Sequence, residues 1–239
     1  MFGLGKKTDK QAVCLVCGYN IIGAAADSCP FCRASHDRIV SSATASRRFK
    51  VIAAPVNATV ARLRCSPKLG LEHVAYRVDA VGGSVWIDCP AVYDEELLPV
   101  DAILFTHKDF IGAANQYRTL WDADVWLHSA DAELSEVSKH CVDNTFDGDI
   151  ELYGIQGIHI GGHSPGFTIY IWQDVLFVCD YAYPPGSAMK LNPHGKRDAT
   201  REGASRLAGA IAGRQLNTVC GYNYVAEFSD WQSAFERLL

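Results

Sequence analysis

The sequence predicts a mixed α/β (α+β) protein of two parts, a small N-terminal metal-binding domain and a larger domain of strands and helices. Four of the nine cysteines stand in two Cys-x-x-Cys pairs near the N-terminus, while the other five are scattered singly. After Arg48 the chain changes to short apolar, β-branched runs that alternate with helical patterns. We therefore divide it into residues 1–48, the metal domain with its linker, and residues 49–239, the second domain.

Charge and hydropathy argue against several functional classes. The formal net charge of −5 is unlike that of proteins with a general role on nucleic acids or membrane surfaces. No apolar run approaches the ~18 residues of a membrane span, and the first residues lack the apolar core of a signal peptide, so the sequence predicts a soluble, cytoplasmic protein without membrane insertion. Residues 1–48 carry seven basic against three acidic side chains, and the remainder 15 against 24. This uneven distribution of charge is consistent with docking of the two parts on each other, with an acidic binding partner, or with incidental surface charge.

The paired cysteines predict a metal site. Cys14 and Cys17 form one pair, and Cys29 and Cys32 form the other after eleven intervening residues. Two such turns facing each other supply four thiolates in a tetrahedral arrangement that suits iron or zinc. In a chain without a secretory signal, the pattern indicates metal binding rather than disulfides. Because a segment this short has little core of its own, we expect it to fold only with its metal.

The details of the two pairs resemble rubredoxin-like domains, particularly the short form appended to rubrerythrins. The shared features are Cys-Gly-Tyr in the first pair and Cys-Pro-x-Cys in the second, whereas Arg33 stands where the family has glycine. The resemblance implies an iron centre that transfers electrons. Zinc ribbons share the spacing, so zinc is the alternative. Residues 35–48 are small, polar and basic, which is typical of a linker.

The second domain begins with strands. Apolar runs at 49–55, 74–78 and 84–88 predict the first three strands, and the last of them ends in an aspartate. Further along, the patterns predict a strand over 125–128, helices over 111–120 and 199–214, a C-terminal amphipathic helix, and a long loop over 183–196 of the kind that covers an active-site mouth. Strands over 100–107 and 218–224 are expected from a resemblance to a known family.

Two polar residues flank a predicted hairpin, in which residues 167–172 and 175–179 are the strands and Gln-Asp is the turn. His163 lies in a Gly-His-Ser-Pro-Gly turn before the first strand, and Asp180 directly follows the second. A glycine- and proline-containing turn and a strand end can converge on one point, so this histidine and this carboxylate can share a metal.

These two motifs, Gly-His-Ser-Pro-Gly and Leu-Phe-Val-Cys-Asp, resemble the metallo-β-lactamase fold superfamily over residues 50–239. In that superfamily the histidine of a GHTPG-like turn and the aspartate of an LFxGD-like strand end are metal ligands. The resemblance therefore implies ligand roles for His163 and Asp180 and an αββα sandwich for the domain. His128 falls where the superfamily often has a structural histidine, and we assign it no ligand role.

The main ligand motif of the superfamily is shortened in this chain. The superfamily has Thr-His-x-His-x-Asp-His-x-Gly, whereas residues 106–112 read Thr-His-Lys-Asp-Phe-Ile-Gly. In addition, Tyr222 stands at the place of a later ligand histidine. The resemblance thus implies at most a mononuclear site of His107, His163 and Asp180, with Asp109 in or beside it. The alternative is a scaffold whose former ligands remain as buried hydrogen-bonding groups.

Three classes of function follow from these resemblances. We favour a redox-linked metalloprotein, in which an electron-transfer centre holding iron (or zinc) serves a second domain with a possible single zinc or iron. The alternatives are a metal-dependent hydrolase of an ester or thioester, and a non-catalytic redox-sensing or assembly protein. Whether the chain is an oxidoreductase or a hydrolase stays open. Asp109 and Asp180 are the candidate catalytic residues. A redox protein and an unidentified small molecule are the expected partners.

Overall fold

The chain forms three β-sheets and five α-helices within residues 11–23, 27–71, 73–185 and 189–239, which the computed structural model describes. Residues 1–10 of the predicted metal domain and residues 186–188 of the predicted loop lie outside the described residues. None of the helices in the described ranges is long and apolar enough to cross a membrane.

A small antiparallel sheet carries the first cysteine pair. Its strands are β1 (Gln11–Cys14), β2 (Asn20–Ile22) and β3 (Ile39–Ser41), in the order β2-β1-β3, and the helix α1 (Ser42–Arg48) follows β3 directly. The cysteine pairs lie in the turns beside this sheet. The sheet therefore supports the metal knuckles from one side.

The segment 35–48, predicted as a linker, is folded and bonded to the second domain. It contains a 3-10 turn (His36–Arg38), β3 and α1. The side chain of Ser41 caps α1 by accepting a hydrogen bond from the Thr44 amide (3.2 Å). Ser42 and Ser46 donate hydrogen bonds to Gln116 Oε1 and to the Tyr93 carbonyl, each at 2.7 Å. The linker prediction is therefore wrong, because the segment forms regular structure and Ser42 and Ser46 bond to the second domain. The boundary near Arg48 stays a prediction.

A seven-stranded sheet follows, in the order β10-β9-β8-β7-β6-β5-β4. The strands β4 to β7 are antiparallel, and β7 to β10 are parallel. Two of its strands, β5 and β10, were absent from the predictions. The elements are β4 (Lys50–Pro55), β5 (Val60–Ser66), β6 (Ala75–Ala80), β7 (Gly83–Ile87), β8 (Ala102–Leu104), α2 (Ala114–Trp121), β9 (Asp124–His128), α3 (Ser129–Ala132) and β10 (Asn144–Phe146).

The predicted hairpin forms the centre of a second, six-stranded sheet. Its two strands pair antiparallel with Tyr170 opposite Phe177, and Gln173 adopts the left-handed conformation (φ 53°) in the turn. This confirms the hairpin. The elements are β11 (Ile150–Leu152), β12 (Ile155–His159), β13 (Thr168–Trp172), β14 (Val175–Cys179), α4 (Arg197–Ile211), β15 (Thr218–Gly221), β16 (Val225–Glu227) and α5 (Phe228–Glu236).

Three apolar layers join the two large sheets and their helices. Residues such as Val85 and Phe177, from facing strands of the two sheets, pack between them. On the outer faces, Tyr117 of α2 packs on the first sheet, and Leu207 of α4 and Trp231 of α5 pack on the second. Each large apolar side chain buried in this way contributes about 1.5–3 kcal/mol. The layer order is helix, sheet, sheet, helix, which confirms the predicted αββα sandwich.

Candidate metal centres

The four N-terminal cysteines meet in one cluster. Their sulfur atoms all lie within 4.8 Å of one another, with 3.7 Å between Cys14 and Cys32 and 3.7 Å between Cys17 and Cys29. A tetrahedral metal with bonds of about 2.3 Å to sulfur requires sulfur–sulfur separations of about 3.8 Å. The cluster therefore has the dimensions of a four-thiolate iron or zinc site.

The backbone of both knuckles is shaped to direct amides at sulfur. Gly18 and Arg33, each directly after a cysteine pair, have positive φ angles of 82° and 63°. Arg33 thus adopts the left-handed conformation, at a cost of about 1–2 kcal/mol for a side chain. Burial raises the pKa of the Cys32 thiol, but the Ala34 amide that donates to its sulfur and the neighbouring thiols bring this pKa below its ordinary value. Thiolate, the form that binds metal, is favoured at Cys32.

The second cluster forms where the two large sheets present their strand ends. His107 follows β8, and Asp109 lies in a 3-10 turn (Lys108–Phe110) just after it. His163 lies in the glycine-rich turn before β13, and Asp180 directly follows β14. All four predicted positions therefore converge, although they come from three separate connections.

The ligand atoms of this cluster lie at similar separations. His107 Nε2 is 3.5 Å from Asp109 Oδ2 and 3.6 Å from Asp180 Oδ1. His163 Nε2 is 3.6 Å from Asp109 Oδ2 and 3.7 Å from Asp180 Oδ2. Around a single cation with bonds of about 2.1 Å, tetrahedral ligands are about 3.4 Å apart. The possible ligands form two groups that share His107, one with Asp109 and His163 and the other with Cys179 and Asp180. Imidazole and carboxylate ligands at these distances suit zinc or iron(II).

The hydrogen bonding supports a metal role for these atoms. Among the described residues, His107 Nε2, His163 Nε2 and Asp180 Oδ1 are buried and have no hydrogen-bond partner. A buried polar atom without a partner costs about 1–3 kcal/mol. Three such atoms facing one point fit a cation that would accept their lone pairs, so the residues present fit a bound metal.

The protonation states differ between the two histidines. Burial disfavours charge on His107, but the Asp180 and Asp109 carboxylates outweigh it and raise the pKa of His107 to about 9. Burial and the neighbouring His107 lower the pKa of His163 to about 3. Although burial opposes it, His107 and Lys108 hold the pKa of Asp109 well below its usual value. At neutral pH without metal, the His107 ring is therefore doubly protonated and positively charged. Metal binding must displace the extra proton.

A hydroxyl and a carboxylate hold the far side of the His107 ring. Thr106 Oγ1 lies 3.0 Å from His107 Nδ1 and 2.9 Å from Asp88 Oδ1. The Thr106 hydroxyl donates to Asp88, so its oxygen accepts from the N–H at His107 Nδ1. This arrangement leaves Nε2 as the ligand atom once the extra proton has left. Asp88 is the strand-end aspartate predicted to close the third strand, and burial raises its pKa to about 6.

Asp131 of α3 connects the two ligand loops, and sequence reasoning did not identify it. Its Oδ2 accepts a hydrogen bond from the Lys108 amide (3.0 Å), and its Oδ1 accepts one from the Gly166 amide (2.7 Å). The Ser164 hydroxyl reaches both oxygens, at 2.6 and 2.7 Å. Asp131 is fully buried. It therefore ties the loop of His107 to the turn of His163.

Other residues were also missed or placed elsewhere. Asn192, in the predicted long loop, donates from Nδ2 to Asp180 Oδ2 (2.8 Å) and orients that carboxylate. His73, for which the sequence indicated no role, stacks on Phe110 beside the site. His128, to which we assigned no ligand role, stacks on His159 with the ring centroids 3.9 Å apart. Lone polar residues of this kind carry no spacing pattern that sequence analysis could have used.

Comparison with known proteins gives one curated relative and many similar structures. No protein-family model matches the chain. The chain is 34% identical over 107 residues to the probable metallo-hydrolase YqgX of Bacillus subtilis, a match that spans 36% of this chain and half the length of that relative. The metallo-β-lactamase from Pontibacter korlensis superposes with a TM-score of 0.62 and 17% identity, over 78% of this chain and 99% of that one. The metallo-β-lactamase FIM-1 from Pseudomonas aeruginosa, in its mono-zinc form, superposes with a TM-score of 0.61 and 12% identity. This match covers 78% of this chain and 95% of that one.

The second part of the chain therefore has the metallo-β-lactamase fold. The structural likeness is at low sequence identity and concerns the fold alone. The chain also contains a four-cysteine knuckle cluster near the N-terminus and a second cluster of candidate metal ligands at the strand ends.

Proposed function

We propose that this chain is a redox-linked metalloprotein, in which a four-cysteine electron-transfer centre lies beside a mononuclear metal site of His107, His163, Asp180 and Asp109. The observation that carries the proposal is the contact between the cysteine knuckle and the surroundings of this site. Tyr19, two residues after Cys17, is half-buried, and burial together with the neighbouring Asp109 carboxylate raises the pKa of its phenol. A four-cysteine centre that lies beside the second metal site favours electron transfer between the two within one chain.

The protein groups around each cluster suit this role. Bound iron would supply one-electron chemistry at the cysteines and a site for a small substrate at the histidines. Amide hydrogen bonds to cysteine sulfur, such as that from Ala34 to Cys32, are among the features that tune the potential of iron–sulfur centres. Asp109 and Asp180 stay the candidate catalytic residues of this site, with side chains 13% and 14% exposed.

The electron donor to the cysteine centre would be a separate redox protein. Val16 and Phe31, one from inside each cysteine pair, are exposed by 41% and 44% and leave the knuckle surface accessible. The substrate of the second site would be a small molecule, whose identity the cluster does not specify.

Metal analysis tests the proposal directly. Protein purified without added metal should contain iron bound to the cysteines, with a colour that is lost on anaerobic reduction and returns on oxidation. The Cys17→Ser, Cys32→Ser variant should lose this colour and one equivalent of metal, whereas an Asp174→Asn control at an exposed turn should keep both. Zinc at the cysteines, with no reducible chromophore, would contradict the redox role.

The second candidate function is hydrolysis of an ester or thioester by a zinc ion in the second cluster. The likeness to a probable metallo-hydrolase favours it. Against it, Phe110 and Tyr222 stand where the superfamily has ligand histidines, so one of the two metal positions lacks imidazole ligands. Zinc in the second cluster together with esterase turnover that His163→Ala abolishes would favour hydrolysis over the redox proposal.

A further inference from the structure

The first cysteine pair rests on a loop of the second domain. Gly70 (φ 61°) lies against the Cys17–Gly18 peptide so closely that an added Cβ would be 2.6 Å from the carbonyl carbon of Cys17. Gly18 in turn lies against His73, because a Cβ added there would be 3.8 Å from His73 Cε1 and 3.9 Å from Nδ1. Asn20 Nδ2 adds a hydrogen bond to the Ala91 carbonyl at 2.8 Å. The knuckle backbone and His73 are therefore neighbours, with space for about one methyl group between them.

His73 also contacts a residue beside the second cluster. Its ring stacks on Phe110 with the centroids 4.4 Å apart and the planes 11° apart. Phe110 meets the ring of His107 edge to face, at 5.0 Å. A continuous row of packed groups thus runs from Cys17 through His73 and Phe110 to His107.

His73 is held rigidly within this row. It is 7% exposed, and its Nε2 lies 3.2 Å from the Cys89 carbonyl oxygen. Because a carbonyl only accepts, Nε2 carries the hydrogen, and the ring orientation is set. His73 belongs to neither ligand cluster, and the redox proposal does not use it.

We propose that His73 is a positioning residue shared by the two clusters, through which metal binding by the four cysteines strengthens metal binding at His107, His163 and Asp180. This inference rests on the metal binding in the proposed function, but not on redox activity, since it applies equally to zinc.

The physical reason is linkage between local folding and packing. A knuckle of this size needs its metal to fold, so the empty segment no longer covers one face of His73. His73 and Phe110 then gain freedom, and the His107 ring loses neighbours that hold it in a ligand orientation. When the metal-bound knuckle already holds these rings in place, metal binding at the second cluster loses less conformational entropy and is therefore tighter. By thermodynamic reciprocity, occupancy of the second cluster should strengthen the first by the same factor.

The test measures cobalt(II) affinity of the second cluster, from its visible bands in competition with a chelator. The starting protein carries zinc at the cysteines after dialysis against a mild chelator. We expect the Cys17→Ser, Cys32→Ser variant to bind cobalt at the second cluster about tenfold more weakly. His73→Ala, in which the cysteines are intact, should show a similar loss, and His73→Phe should recover most of the affinity by restoring the stack. Asp174→Asn, at a turn outside both clusters, is the control.

A double-mutant cycle separates a link from two independent effects. If His73 transmits the coupling, adding His73→Ala to the cysteine variant should weaken cobalt binding no further. The proposal would be overturned if the two losses of cobalt affinity add, or if the wild type and the cysteine variant bind cobalt equally well. It would also be overturned if the protein retains no zinc at the cysteines. Should the cysteine variant fail to fold, the comparison of His73→Ala with His73→Phe still decides, because equal weakening in both rules out the stack. A colourless but coupled zinc protein would contradict the redox function alone.

Discussion

Replacing Asp131 by asparagine should loosen the second cluster without touching a ligand. The two backbone donors use different oxygens, Lys108 at Oδ2 and Gly166 at Oδ1. Whichever way the asparagine amide turns, one of these buried N–H groups faces another N–H group and loses its acceptor. An unpaired buried donor costs about 1–3 kcal/mol. In a chain of this size, 1 kcal/mol corresponds to about 2–4 °C in Tm.

The metal affinity should fall more than this stability loss alone suggests. Asp131 joins the loops of His107 and His163, and changes to groups that orient ligands typically weaken metal binding about 10–100-fold. We would measure zinc affinity by chelator competition and Tm by circular dichroism. The control is Asp174→Asn, whose carboxylate accepts one exposed hydrogen bond from Asn217 (2.7 Å). Zinc affinity within about twofold of the wild type, together with a lower Tm, would refute a role in ligand placement and leave only a structural one.

Three further predictions concern the cysteines, the chemistry and the response to acid. The Cys17→Ser, Cys32→Ser variant should expose residues 13–35 to protease, and an unchanged digestion pattern would contradict a metal-folded knuckle. In excess zinc, generic thioester, phosphodiester and β-lactam substrates should turn over near background, and robust turnover that is lost in His163→Ala would reverse this expectation. Burial lowers the pKa of His140 to about 4. Because the unfolded state binds this proton from about pH 6.5 downward, stability should fall between pH 6.5 and 4, by about 2 kcal/mol at pH 5. His140→Phe should flatten this dependence in urea titrations, and parallel pH profiles for both proteins would exclude the assignment.

The sequence alone determined those parts of the protein that are local. Paired cysteines, a glycine-rich turn around His163 and an aspartate after an apolar strand each combine a ligand with the backbone geometry that presents it, within a few residues. The hairpin was predictable for the same reason, because alternation and a polar turn specify it without distant partners. The resemblance to the metallo-β-lactamase fold then indicated that His107, His163 and Asp180 meet, and the structure confirms their convergence.

Only the tertiary structure decided how these parts are joined. Residues 35–48 look like a solvated linker because serine hydroxyls and arginines read as polar, yet the hydroxyl partners lie far along the chain. Asp131 and His73 have no local pattern, since their roles depend on donors and rings that folding brings from other segments. Contacts between residues distant in sequence leave no periodicity or spacing to read. The packing of the cysteine knuckle beside the second cluster, on which both proposals depend, is therefore a property of the folded chain.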